Sequence, residues 1–182
     1  MPFIETDLPG LKVFEPKVWG DERGYFYESY NQQTFNEAGI DCSFVQDNQA
    51  RSSYGVLRGL HYQKGDKAQA KLVRVLEGTV LDVVVDLRAD APTFKQSYSI
   101  ELSAENKKQL FVPRGFAHGY VVLSDTAEFF YKCDNFYDKS AEGGIAYNDP
   151  DLNIDWRISL KDAIISEKDQ KLIFLKDFED TF

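Results

Sequence analysis

Lys71-Leu72-Val73-Arg74-Val75-Leu76-Glu77-Gly78-Thr79-Val80-Leu81-Asp82-Val83-Val84-Val85-Asp86-Leu87 is the stretch whose reading decides the fold. Two strand-like runs, 71–76 and 79–87, flank Glu77-Gly78, and this spacing predicts a short hairpin connection. In the second run Leu81, Val83, Val85 and Leu87 fall on one face. Asp82, Val84 and Asp86 fall on the other, a half-buried pattern of period two. Working outward, further strands are expected over 98–102, 109–112, 120–123 and 126–133, the last two joined at Ser124-Asp125. Over 126–133, Ala127, Phe129, Tyr131 and Cys133 share one face, and Glu128, Phe130 and Lys132 the other. A short helix is expected over 32–38, stopping at Gly39, and another is expected to start near Ser166 after an irregular stretch over 143–159. Many short strands with few helices argue for an all-β sandwich or jelly roll and against a parallel α/β sheet. A small barrel of this kind holds its ligand between the sheets.

The 182 residues suit one domain spanning 1–182, whose C-terminal part, about 143–182, is expected to pack irregularly on the barrel. A net charge of −9 opposes nonspecific binding to nucleic acid or an anionic membrane. No N-terminal basic segment precedes an apolar run and no stretch reaches membrane-spanning length, so the default expectation is a cytoplasmic protein. Cys42 and Cys133 are the two cysteines, with no CxxC, which indicates neither a disulfide framework nor a zinc site.

The chain has two histidines, and each lies beside an Arg-Gly motif: Arg58-Gly59-Leu60-His61-Tyr62-Gln63 and Pro113-Arg114-Gly115-Phe116-Ala117-His118-Gly119. Histidine titrates near neutrality, so this placement points to proton transfer or anion contact. With no His-x-His pair, metal-free acid–base chemistry is favoured over a metal site. Gln46 and Asn48, in Phe44-Val45-Gln46-Asp47-Asn48, share a face of an apolar strand, where they serve ligand recognition or a structural network equally well. Lys71 shares a face with Val73 and Val75; it either turns inward onto an anionic partner or outward into solvent. Arg23, between Gly20 and Gly24, reads alone as a charged hairpin tip. Asp169, in Ser166-Glu167-Lys168-Asp169, reads as a helix cap or as a carboxylate that orients a histidine, with the cap favoured on spacing alone.

These motifs, in this order, resemble the dTDP-4-dehydrorhamnose 3,5-epimerases, and Gly55-Val56-Leu57-Arg58-Gly59-Leu60-His61-Tyr62-Gln63 is the most specific of them. The resemblance covers nearly the whole chain. It implies a cupin-type jelly roll, a homodimer, no metal or dissociable cofactor, and a dTDP-4-dehydro-6-deoxy-D-glucose substrate. It also implies that His61 is the general base with Asp169 as its partner, that Tyr131 is the proton donor on the opposite sugar face, and that Lys71 neutralises the C4 oxyanion. Tyr137 would stack on thymine, and Arg23, Glu28, Gln46, Asp47, Asn48, Arg58, His118, Glu142 and Lys168 would contact the nucleotide sugar. Arg23 and Glu28, on the N-terminal segment, could act across the dimer. Gln49-Ala50 replaces a pair that is often more polar in relatives. An epimerase acting at one carbon, a ketoisomerase on a related dTDP-sugar, and a noncatalytic nucleotide-sugar-binding cupin are the alternatives.

Overall fold

In the computed structural model, which describes residues 2–180 and 182, the chain folds as two sheets laid face to face. The strands before the helix are β1 Phe3–Glu5, β2 Lys12–Phe14, β3 Trp19–Asp21 and β4 Gly24–Phe26, and the helix α1 is Gln32–Glu37. Then come β5 Gln46–Ser53, β6 Val56–Gln63, β7 Lys71–Glu77, β8 Thr79–Asp86, β9 Ser97–Ser103 and β10 Gln109–Val112. β11 Phe116–Val122, β12 Thr126–Cys133, β13 Glu142–Gly144 and β14 Ile164–Ile165 complete the set. One sheet runs β1-β2-β10-β7-β12-β5 and the other β13-β6-β11-β8-β9, with β14 lying parallel along β6. β3 and β4 form a separate two-stranded hairpin. This is the expected all-β jelly-roll sandwich with little helix.

The inter-sheet core is built from alternate residues of facing strands, among them Val73, Val75, Val84, Leu110, Tyr120 and Phe129. β12 shows the alternation expected of it: Ala127, Phe129 and Cys133 are buried, and Glu128 and Lys132 form exposed polar contacts with Gln49 and Asp47. α1 is capped by Asn31, whose side chain accepts from the backbone N–H groups of Gln33 and Thr34, and it buries Phe35 on the outside of the first sheet.

Three expectations need correcting. Residues 71–77 and 79–86 are not a hairpin. β7 pairs with β10 and β12, and β8 pairs with β9 and β11, so the chain passes from one sheet to the other at Gly78. Gly78 has φ +77°, and a Cβ there would sit 2.0 Å from the Thr126 carbonyl oxygen, a corner that only glycine fits. Another crossing, from β11 to β12, lies beside it: Ser124 Oγ accepts from Thr79 N at 2.8 Å and donates to the Thr126 carbonyl at 2.6 Å. β8 is also not half exposed, because both of its faces are buried. Leu81, Val83, Val85 and Leu87 pack under Ile145, Leu152, Trp156 and Leu175 of the C-terminal segment, while Asp82 and Asp86 are held inside by polar partners. Finally, no α-helix starts at Ser166; one short 3-10 turn, Asp169–Lys171, stands there, with the Asp169 side chain on His61 and Gly59.

Candidate active site

A cavity of about 560 Å³ opens between the two sheets, a size suited to a small-molecule ligand. His61, Lys71, His118, Tyr131 and Asp169 all line it, together with Arg58 and Lys168. β6 and β11 are neighbours in register, so that His118 lies opposite His61. The two strands approach closely at Gly59 and Gly119: a Cβ on Gly59 (φ +125°) would stand 2.5 Å from Gly119 Cα. Lys71 and Tyr131 come from the facing sheet, with Lys71 Nζ 5.9 Å from the centre of the Tyr131 ring. Lys71 therefore turns inward, as one of its two sequence readings required.

His61 Nε2 lies 2.9 Å from Asp169 Oδ1, and Asp169 Oδ2 accepts from the Gly59 backbone N–H at 3.2 Å. Asp169 is 4% exposed. Burial raises its carboxyl, but the His61 hydrogen bond and charge and the Gly59 N–H outweigh that, so the group sits below the ordinary carboxylate range. An ionised carboxylate only accepts, so in the neutral imidazole Nε2 carries the proton and Nδ1 has the lone pair. Both sequence readings of Asp169 are partly realised. Its backbone N–H donates to Ser166 Oγ at 3.1 Å, as in a capping turn, while its side chain orients the histidine.

The second histidine has its own carboxylate, which the sequence reading missed. His118 Nε2 lies 2.9 and 3.1 Å from the two oxygens of Asp82, which is fully buried. An aspartate in a run of valines was the available signal, but its face was read as solvated. Burial raises the Asp82 carboxyl, opposed by His118 and then by Lys71. Burial lowers Lys71, while Cys133, Asp82 and Glu142 favour its ammonium form. Burial, then Cys133 and Tyr120, push the Tyr131 phenol up to about 12, so it remains a proton donor across the neutral range.

From Lys168 on the cavity wall a polar chain runs to four more candidate residues. The Tyr137 backbone N–H donates to Gln46 Oε1 at 3.0 Å, and Gln46 Nε2 donates to Asn48 Oδ1 at 3.1 Å. The Tyr137 hydroxyl donates to Glu142 Oε2 at 3.1 Å, and Glu142 Oε1 accepts from Lys168. Asp47 is not brought to this chain: strand alternation turns it to the other face of β5, where Lys132 Nζ donates to it at 3.0 Å. Nor are Arg23 and Glu28. Arg23 sits in the β3–β4 turn on Asp21, and Glu28 lies in a separate groove with Trp19. Among the described residues, no group of three or more His, Cys, Asp or Glu side chains is placed to hold a metal ion.

The family model described as dTDP-4-dehydrorhamnose 3,5-epimerase matches residues 5–177. The chain belongs to the dTDP-4-dehydrorhamnose 3,5-epimerase family. It is 52% identical over 180 residues to the epimerase of that name from Salmonella typhimurium, covering 95% of this chain and 98% of that one. The crystal structure of the epimerase from Elizabethkingia anophelis is 59% identical and superposes with a TM-score of 0.94, over 96% of each chain. A Legionella pneumophila dTDP-6-deoxy-D-glucose-3,5-epimerase, solved in complex with dTDP-4-keto-L-rhamnose, is 48% identical with a TM-score of 0.93, covering 97% of this chain and 94% of that one. Members of this epimerase family thus share the present jelly roll across nearly its full length.

Proposed function

We propose that this chain inverts C3 and C5 of dTDP-4-dehydro-6-deoxy-D-glucose, giving dTDP-4-dehydro-L-rhamnose for dTDP-L-rhamnose biosynthesis. The observation that carries the proposal is the His61–Asp169 pair, 2.9 Å apart, in one cavity with Tyr131 and Lys71. A proton beside a ketone becomes acidic only when the enolate oxygen is stabilised. Lys71 supplies that stabilisation, beside the Asp82-held His118, and His61 Nδ1 takes the proton while Asp169 steadies the resulting imidazolium. Inversion needs reprotonation from the opposite face, and Tyr131, on the facing sheet, is the donor. C3 and C5 flank the same C4 carbonyl, so one set of groups serves both carbons in turn. The chemistry calls for no metal or cofactor. Arg58 meets the diphosphate, and Tyr137, Gln46, Asn48, Glu142 and Lys168 hold the nucleotide end.

The proposal includes a homodimer. Trp19, Tyr25 and Phe26 on the β3–β4 hairpin are 50, 64 and 70% exposed, an apolar tip that its own chain leaves mostly uncovered. Seated on a second copy, this segment would carry Arg23 and Glu28 to the partner's cavity. The expected compartment is the cytoplasm, and among the described residues no helix is long and apolar enough to cross a membrane.

The test is solvent exchange. In deuterium oxide the wild type is expected to incorporate label at both C3 and C5, counted by proton NMR, and His61→Ala is expected to abolish it. Undiminished exchange in that variant refutes the base assignment; label at one carbon in the wild type marks a single-carbon epimerase instead.

A further inference from the structure

Among the described residues, one buried side-chain polar atom lacks a hydrogen-bond partner: the phenol oxygen of Tyr120. Buried polar groups are almost always paired, and an orphan is unfavourable in the folded chain. Tyr120 is 5% exposed, and its ring lines the cavity described above. The ring stacks on Phe129, with centroids 4.1 Å apart and planes 16° from parallel, which fixes where the hydroxyl points. Phe129 in turn leans on Tyr131 at 6.0 Å. Tyr120, on β11, therefore meets through Phe129 the opposite wall, which carries the proposed proton donor, yet the mechanism makes no use of it.

The surroundings say what this hydroxyl lacks. Tyr120 and Arg58 are register partners across β11 and β6. Arg58 and Ser52 are the polar side chains beside the phenol, near enough to favour its phenolate but outside hydrogen-bond geometry, while Phe129, Ala50 and Val56 on the same cavity offer no side-chain donor or acceptor. The Arg58 guanidinium is exposed, and its Nε and Nη2 both donate to the one Ser52 hydroxyl oxygen, at 3.3 and 3.2 Å. Those are long bonds from a cation to a neutral acceptor. A phosphoryl oxygen is a stronger acceptor and matches the guanidinium fork, so it displaces Ser52 when it arrives. The phenol under Arg58 then faces an anion. Burial disfavours its phenolate, and the proton that it would donate is retained at neutral pH.

We infer that Tyr120 is a substrate-binding residue whose hydroxyl donates to a phosphoryl oxygen of the diphosphate that Arg58 engages. The inference rests on the reading of this cavity as a dTDP-sugar site. The hydrogen bond that the phenol does not find within the chain is completed by ligand.

Tyr120→Phe removes only the oxygen and keeps the stack on Phe129. Calorimetric titration with dTDP, thermal melting without ligand, and the kcat and KM of the epimerisation test it together. The expected result is a free variant that melts no lower than wild type, binds dTDP on the order of tenfold or more weakly, and shows the loss in KM with kcat within about threefold. Equal dTDP affinity in variant and wild type overturns the inference. A lower melting temperature without ligand also overturns it, since the hydroxyl would then have a partner inside the free protein. Failure of the wild type itself to bind dTDP overturns the dTDP-sugar reading, which separates the two failures.

Discussion

Replacing Asp169 by Asn tests the base assignment at its most exact point, because it keeps shape and volume and removes one charge. The carboxylate makes two contacts: Oδ2 accepts from the Gly59 N–H at 3.2 Å, and Oδ1 faces His61 Nε2 at 2.9 Å. A carboxamide has one oxygen. If that oxygen stays on Gly59, the NH2 group faces Nε2 and forces the proton onto Nδ1, which removes the lone pair needed for abstraction. If the amide turns over, its NH2 group meets the Gly59 N–H, donor against donor, in a site 4% exposed. One wrong pairing costs about 1–3 kcal/mol, and losing a charged acceptor behind the imidazolium costs about 1.5–3 kcal/mol more. At about 1.4 kcal/mol per decade, kcat is expected to fall on the order of 10²-fold or more. Epimerisation coupled to a rhamnose-forming reductase, followed by NADPH loss, measures this. A variant within threefold of wild type, with its fold intact by circular dichroism, would sink the claim that Asp169 orients the base.

Other outcomes follow from the same geometry. Tyr131→Phe removes the donor but leaves His61, so proton abstraction is expected to persist while inverted product falls by roughly 10²-fold or more; equal losses of exchange and inversion would contradict the opposite-face assignment. Gly59→Ala places a Cβ 2.5 Å from Gly119 Cα at φ +125°, and is expected to lower the melting temperature by roughly 5–10 °C, read by calorimetry; an unchanged melt refutes the close strand contact. Acid stability should depend on Asp169. Its folded-state pKa is depressed, so its contribution is complete above about 3.8, the unperturbed value, and is lost as pH falls through the lower folded value. Urea unfolding of wild type is therefore expected to weaken more steeply than that of Asp169→Asn below about pH 4, and parallel slopes would remove the linkage.

Much of the fold was legible because the alternation on single strands is strict. Residues 126–133 and 109–112 match β12 and β10 at both ends, and the inward set on β12 includes Tyr131. Which strand pairs with which was not legible at Glu77-Gly78. A tight turn looks alike in sequence whether the chain folds back in one sheet or crosses to the other, and that choice is made by β9, β10, β11 and β12, contributed by residues 97–133. Asp82 shows the same limit. Alternation separated it from Leu81 and Val83, but that both faces are covered depends on residues 145–175. The motif resemblance gathered His61, Lys71, His118, Tyr131 and Asp169 into one cavity, which no local pattern would do. It also carried Asp47 along with its neighbours, although the parity that joins Gln46 to Asn48 puts Asp47 outside.

The aspartate proposed to steady the base reaches His61 from 108 positions later in the chain, on a segment fastened to the edge of β6 by Ile164 and Ile165. On that proposal, catalytic competence is tied to a clasp at the rim and not to the barrel's own cohesion. Anything that pries this clasp loose disarms the imidazole while both sheets still stand, so turnover is a more sensitive gauge of the molecule's integrity than its melting point.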